Sequence, residues 1–401
     1  MITIKQLITE ATSEDKLTHL EHAEDHVIKS GSAGFNHAKK TLTGIHDALQ
    51  GNPSNVSVST KYDGSTSVIF GRHPETGKFF VATKSAHNKN PKINYSEKDI
   101  EENHGHAPGL VAKLKNAFKH LGKITPEKGV FQGDLMHHGV KSEDNPNGDV
   151  MLSKNQAHFT PNTITYSTKD PKETEQVKNS KIGIAVHTSY HGNTFADLKA
   201  KYNSGSEDLI HHPDVHLIDT SHNTAETKYT PEQQSQFENH MKAAEGLHRK
   251  IGDNYKYLEP HTQHLTTYLN KTIHTGETPS IEGYKDHLAS IHAKEAEKVK
   301  TPAKKAEKLS KGTELSKDVD KNKEHFGNLL QLHHHLQQAK NVLAHALSSH
   351  TSYGHSIDGQ ETKPEGHVAV INNRPSKIVD KEEFTKANKA SFEKRMKAEK
   401  A

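Results

Sequence analysis

Cysteine is absent from the 401 residues. Its absence excludes disulfides, thiolate metal sites and cysteine nucleophiles, and fits a reducing compartment or a protein that passes between redox environments. Apolar residues are sparse, at 31% against 26% charged, and no apolar run approaches the roughly 20 residues of a membrane span. The chain reads as having no membrane segment, a modest core and a large surface, and its length fits two or three domains. Net charge is nearly missing as well, since 53 basic and 50 acidic residues leave only +3. No global field draws nucleic acid, so any such binding must come from local basic patches.

Hydrophobic spacing divides the chain. From 14 to 50, Leu17, Leu20, Val27 and Ile28 recur at helical intervals, and Leu42, Ile45 and Leu49 continue beyond a break at Gly31 to Gly34. These helices are expected to buttress the following domain. From 55 to about 220 the pattern changes to short strands and turns. Val56 to Phe70 leads through the turn His73 to Gly77 into a returning strand, Lys78 to Lys84, which reads as a hairpin with Lys61 at a bend between paired strands. A helix is expected from Pro108 to Leu121, then strands at Gly129 to Met136, Thr163 to Tyr166 and Ile182 to Thr188. Thr230-Pro231 opens a nearly all-helical block, with helices expected at 231–250, 254–274, 280–311 and 316–349. Leu329, Leu332, Leu336, Ala339, Val342 and Leu343 give it the spacing of an antiparallel bundle. The Lys298 to Lys311 stretch reads as a solvated face. Strand patterns return at Gly366 to Ile371 and Ser376 to Val379. The fold class expected is α+β, mainly antiparallel sheet, with residues 14–225 and 356–401 forming one domain and 226–355 a helical insertion.

The chemistry centres on Lys61-Tyr62-Asp63-Gly64-Ser65. This element resembles motif I of the ATP-dependent ligase and capping-enzyme superfamily, and the lack of an arginine after the glycine is closer to its phage RNA-ligase branch. Thr83-Lys84-Ser85 is similar to the Ser-Lys-Gly element that follows motif I in phage RNA ligases. Phe131-Gln132-Gly133-Asp134-Leu135 resembles motif III with Asp in place of Glu. Ile182 to Tyr190 falls where the family has strand IIIa, Glu365-Gly366-His367-Val368-Ala369-Val370 resembles motif IV, and Lys377-Ile378-Val379 is a partial motif V. The order of the motifs is that of the family, over residues 55–200 and 364–382.

The resemblance implies a ligase-type nucleotidyltransferase domain that joins nucleic-acid ends through a lysyl-AMP intermediate on Lys61, with ATP and Mg2+ as cofactors. Lys61 must attack as a neutral amine, which desolvation and nearby cations favour. Lys84 and Lys377 are the nucleotide-binding cations, holding phosphate oxygens as charge accumulates. Asp134 and Glu365 are the metal ligands, Glu365 counting also as catalytic. Asp63 would bond near the sugar or the substrate end, and Gly64 would let the backbone approach the nucleotide. Two departures stand out. Val379 occupies the place of the second motif V lysine, and Lys381, on the same strand face, lies roughly 6.6 Å further along. The twenty or so residues after motif V also leave no room for the OB domain of DNA ligases.

Other readings stay open. A non-catalytic virion or DNA-associated protein on a degenerate ligase fold, and a transferase that places AMP on another protein, fit the same residues. The first residues, ending Ile8-Thr9-Glu10-Ala11, are similar to the cleaved capsid-targeting leader of internal head proteins of T4-like phages, and also read as an ordinary amphipathic helix over 1–13. The leader implies host cytoplasm during infection, packaging inside a phage head and capsid association. The oligomeric state is left open. Histidine is abundant at 34 residues, which makes net charge sensitive between about pH 5 and 8. His211-His212 and the run His333 to His335 read as solvated or helix-face residues, while His137-His138 are expected to border the cleft.

Overall fold

The computed structural model describes residues 20–383 except 89, 144 and 154; Ile8-Thr9-Glu10 lies outside them. Two compact units emerge: one comprises Leu20, Ser57–Asn223 and His350–Pro375, the other Glu21–Val56, Thr224–Ser349 and residues 376–383. The chain is mixed α+β with several antiparallel sheets. Among the described residues no helix is long and apolar enough to cross a membrane.

The first unit begins with β1 (Ser57–Lys61), β2 (Ser67–Arg72), β3 (Phe79–Ala82), β4 (Ile93–Asn94) and β5 (Val130–His137). It continues with β6 (Val150–Ser153), β7 (Gln156–Phe159), β8 (Thr165–Thr168), β9 (Ile182–His191), β10 (Lys199–Tyr202) and β11 (Val215–Ile218). After the helical stretch come β12 (Gly354–Ile357), β13 (Gln360–Glu361), β14 (Gly366–Ile371) and β15 (Arg374–Ile378), the last carrying the chain out of this unit. The largest sheet runs β10-β9-β5-β2-β3-β4, with β11 parallel on β9. β2 alternates in the manner of a strand covered on both faces. Val68 and Phe70 join Val81, Leu135 and Ile184 in one apolar layer, roofed by helix Pro108–Leu121 through Leu114 and Leu121. Ile69 points the other way, to Phe80, Val130 and Tyr190. Each of these large side chains contributes about 1.5–3 kcal/mol by leaving water.

The expected β2–β3 hairpin is present, with Ile69 opposite Ala82 and Arg72 opposite Phe79. The expectation that Lys61 lies between paired strands is not met, because β1 does not join β2. β1 pairs antiparallel with β14, Ser57 opposite Val370 through Lys61 opposite Gly366, and residues 62–66 cross to the larger sheet. The reason is burial. β14 is buried along nearly its whole length, and β1 supplies the edge that its backbone needs.

The second unit is helical: His26–Leu49, Pro231–Ile251, Thr262–Thr275, Ile281–Glu297, Pro302–Lys321 and Lys323–Leu347. The single helix expected over 280–311 is two, broken where Pro302 lacks an N–H and starts a new helix. Leu329, Leu332, Leu336, Ala339 and Leu343 are buried as expected of a bundle seam, and Val342 is half-buried. Segment 21–56, expected to buttress the sheet domain, belongs instead with the helices, as does the described stretch 376–383. Buried charge explains the difference. Lys340, wholly buried on helix Lys323–Leu347, bonds Glu24 at 2.7 Å. Lys381 reaches Asp25 at 2.7 Å and Glu24 at 3.6 Å, and His333 bonds Asp25 at 2.9 Å. Ser376 Oγ meets His26 and His37 at 2.9 and 3.0 Å. Each charge needs the others to leave water, so the three segments come together.

Candidate active site

The register of β1 on β14 determines the central contact. Lys61 ends β1 opposite Gly366, and its Nζ pairs with the carboxylate of Glu365, the residue just before β14. The two are 304 positions apart in the chain. Both side chains are largely buried, Lys61 27% and Glu365 12% exposed. The next residue fixes the end of the strand: Tyr62 packs against Tyr166 and Tyr353 at ring distances of 5.5 and 6.0 Å, each such pair adding about 0.5–1.5 kcal/mol.

Asp134 comes from β5. Gly133 before it lies at a bulge, and a Cβ there would sit 2.6 Å from the Ala185 carbonyl oxygen on β9, so only glycine lets the strands close. Gly64 serves the same purpose on the lysine side, since a Cβ would lie 2.4 Å from Asp134 Cβ. Ser65 N–H donates to the Leu135 carbonyl at 3.0 Å and Leu135 N–H to that of Thr66 at 3.0 Å, stitching the Lys61 loop to β5. Gly64 thus brings the loop against Asp134.

Lys61 and Asp134 line one cavity of about 90 Å³ with Ser59, Tyr62, His187 and Asn203. His187, on β9, was not singled out from the sequence. Its Nε2 lies 3.7 Å from Asp134 Oδ2, and its Nδ1 meets Thr188 Oγ1 at 2.8 Å. Burial pushes this imidazole below its ordinary value; Asp134 opposes the shift, and the charges of Lys61 and Lys84 add to it. Lys84 therefore belongs to the same electrostatic neighbourhood. It is exposed, in a short 3-10 turn that Thr83 caps by accepting the Ser85 N–H. Asn203 was missed as well. It sits at φ 50°, accepts from Ser59 Oγ at 2.9 Å and donates to the Val368 carbonyl at 3.3 Å. The available signal was a His-Thr pair interrupting the apolar run Ile182 to Val186.

Several sequence candidates lie otherwise than expected. Asp63 does not line the cavity: Asn162 Nδ2 and Thr163 N–H donate to its two carboxylate oxygens at 2.9 and 3.0 Å, and its own N–H donates to Tyr166 OH at 2.6 Å. It clamps the loop before β8. Lys377 falls in the second unit, where its N–H donates to the Glu21 carbonyl at 2.7 Å. Lys381 is engaged in the buried pairs with Glu24 and Asp25, and Val379 is 5% exposed, so neither supplies a second motif V cation. His137 and His138 are not at the cleft but buried. His137 Nε2 meets His216 Nδ1 at 3.0 Å, and His216 Nε2 meets Glu173 at 2.8 Å. His333, read as a solvated or helix-face residue, is on the buried face of helix Lys323–Leu347, where it bonds Asp25. Asp134 and Glu365 each keep a near neighbour, His187 and Lys61, and neither joins a trio of close metal donors among the described residues.

No curated protein and no solved structure matches the chain. One family does, over residues 16–393, which takes in both units and every residue of the Lys61 cavity. The chain belongs to that family, DUF6267, described as a family of unknown function.

Proposed function

We propose that the chain is an ATP-dependent covalent nucleotidyltransferase with a ligase-type domain, acting through Lys61. The observation that carries this reading is the meeting of Lys61 with Glu365 at the end of the β1–β14 pair, beside Asp134 and His187. In the reaction Lys61 Nζ attacks the α-phosphorus of ATP; an N–P bond forms, the bond to pyrophosphate breaks, and the amine gives up its proton. AMP then passes to an acceptor, a 5′-phosphorylated RNA or DNA end, and a 3′-hydroxyl displaces it. Lys84 supplies positive charge for the phosphates. Magnesium, held by Asp134 and Glu365 directly or through its waters, would screen the phosphate charge. The Lys61–Glu365 pair must open first, because nucleophilic attack needs the free amine.

The test is incubation with α-labelled ATP and magnesium followed by a denaturing gel. Label on the wild-type protein and none on Lys61→Ala supports the reading, and an unlabelled wild type rejects it. One observation favours a second reading, a non-catalytic virion or DNA-associated protein on the same fold. The cavity of about 90 Å³ is smaller than the roughly 300–1,000 Å³ of ordinary ligand sites, so a nucleotide enters only if the site opens. Labelled ATP added to a host lysate separates the nucleic-acid acceptor from a third reading, in which another protein receives the AMP.

A further inference from the structure

In the helical unit, away from the chemistry above, three donors converge from distant parts of the chain. His345, in the last turn of helix Lys323–Leu347, places Nε2 3.1 Å from Asp380 Oδ2 and 3.4 Å from Glu383 Oε2. One ligand atom from each residue lies within 4.8 Å of the others. We propose that His345, Asp380 and Glu383 bind one first-row divalent cation of the Zn2+ type, which fastens segment 380–383 to helix Lys323–Leu347.

Three features support the site. A single ring nitrogen faces two carboxylate oxygens at 3.1 and 3.4 Å, and a cation between the three atoms would engage all of them at once, with the imidazole neutral at Nε2. Asp380 is also oriented in advance. Its Oδ1 accepts the backbone N–H groups of Glu382 and Glu383 at 3.1 Å each, which leaves Oδ2 to face His345. Such outer bonds hold ligands in place in metal sites generally. The donor set selects the ion: one imidazole with two carboxylates suits zinc and its neighbours, whereas magnesium and calcium take oxygen donors alone. Three protein ligands leave a position for water. His345 and Glu383 are 43% and 46% exposed, so a cation reaches the site without unfolding.

With 34 histidines the chain will also take up zinc loosely, so the test counts equivalents. The full chain is loaded with Zn2+, passed through gel filtration to strip weakly held metal, and assayed for bound zinc and melting temperature. Wild type should retain one equivalent more than His345→Ala or Asp380→Asn, and zinc should raise its melting temperature but not theirs. Asp380→Asn keeps a side-chain oxygen for the capping bonds, so its metal-free melt should match wild type and separate lost binding from lost folding. His274→Ala, which removes an exposed histidine from helix Thr262–Thr275, should retain the wild-type equivalent. Equal retention by wild type, His345→Ala and Asp380→Asn overturns the proposal, as does a zinc-induced rise that persists in the two site variants.

Discussion

Exchanging Lys340 for methionine keeps the length of the side chain and removes its charge. Lys340 and Glu24 are both 0% exposed and bonded at 2.7 Å. The exchange therefore leaves the Glu24 carboxylate buried, with Lys381 at 3.6 Å as its one remaining cation among the described residues, an ammonium already shared with Asp25 at 2.7 Å. Breaking a buried pair by deleting one partner costs roughly 3–5 kcal/mol. Lys381 offsets part of this, so the cost falls near the lower figure, about 3 kcal/mol. At about 2–4 °C per kcal/mol for a transition of this size, the helical unit should melt roughly 6–12 °C lower by scanning calorimetry. The double variant Glu24→Met/Lys340→Met removes both charges and should recover most of the loss, since well-packed apolar replacements of buried ion pairs are often neutral. A single variant that melts within about 2 °C of wild type, or a double variant less stable than the single, refutes the argument.

Other outcomes are equally specific. Burial pushes His138 and His355 down to about 4 from their ordinary 6.5. The unfolded chain therefore binds more protons between those values, and stability is full above about pH 6.5 and is lost as pH falls toward 4. Each histidine contributes about 1.4 kcal/mol per pH unit; urea unfolding at pH 7.5 and 5 should show the fall, and His138→Gln should flatten it by one proton. Gly64→Ala, whose methyl would meet Asp134 Cβ at 2.4 Å, should cost about 1–3 kcal/mol and sharply reduce self-labelling; full labelling would show that the loop is free to move. Glu365→Gln should remove most of the label while leaving the melt near wild type, and an unchanged yield argues against its catalytic role. Val379→Lys buries a charge at a position 5% exposed and should lower the melting temperature without raising label yield.

Local pattern carried much of this fold. The helix Pro108–Leu121, the β2–β3 hairpin and the buried strand at β14 follow from apolar spacing and from punctuation by Pro and Gly. The link between Lys61 and Glu365 came from the order of short motifs, because nothing local ties residues 304 apart. What escaped was set by tertiary contact. Glu24, Asp25, Lys340 and Lys381 look like ordinary surface charges until they neutralise one another in the helical core, and that pairing decides which unit segment 21–56 joins. Asp63 has the same composition whether it faces a ligand or a loop; Asn162 and Thr163, a hundred residues on, determine the outcome. His187 was hidden because the polar residues that end the apolar run of β9 give no periodic signal that marks one of them as part of a site.

The pairing of β1 with β14 also sets a clock. A ribosome adding about 5–20 residues each second needs roughly 15–60 s after making Lys61 to deliver Glu365, 304 positions later. During that interval the nascent chain carries the lysine without its carboxylate, and β1 lacks the β14 edge, with only residues 220–222 made to bond its other side. Early termination anywhere in the helical stretch therefore releases a protein that holds most of its mass and no completed site.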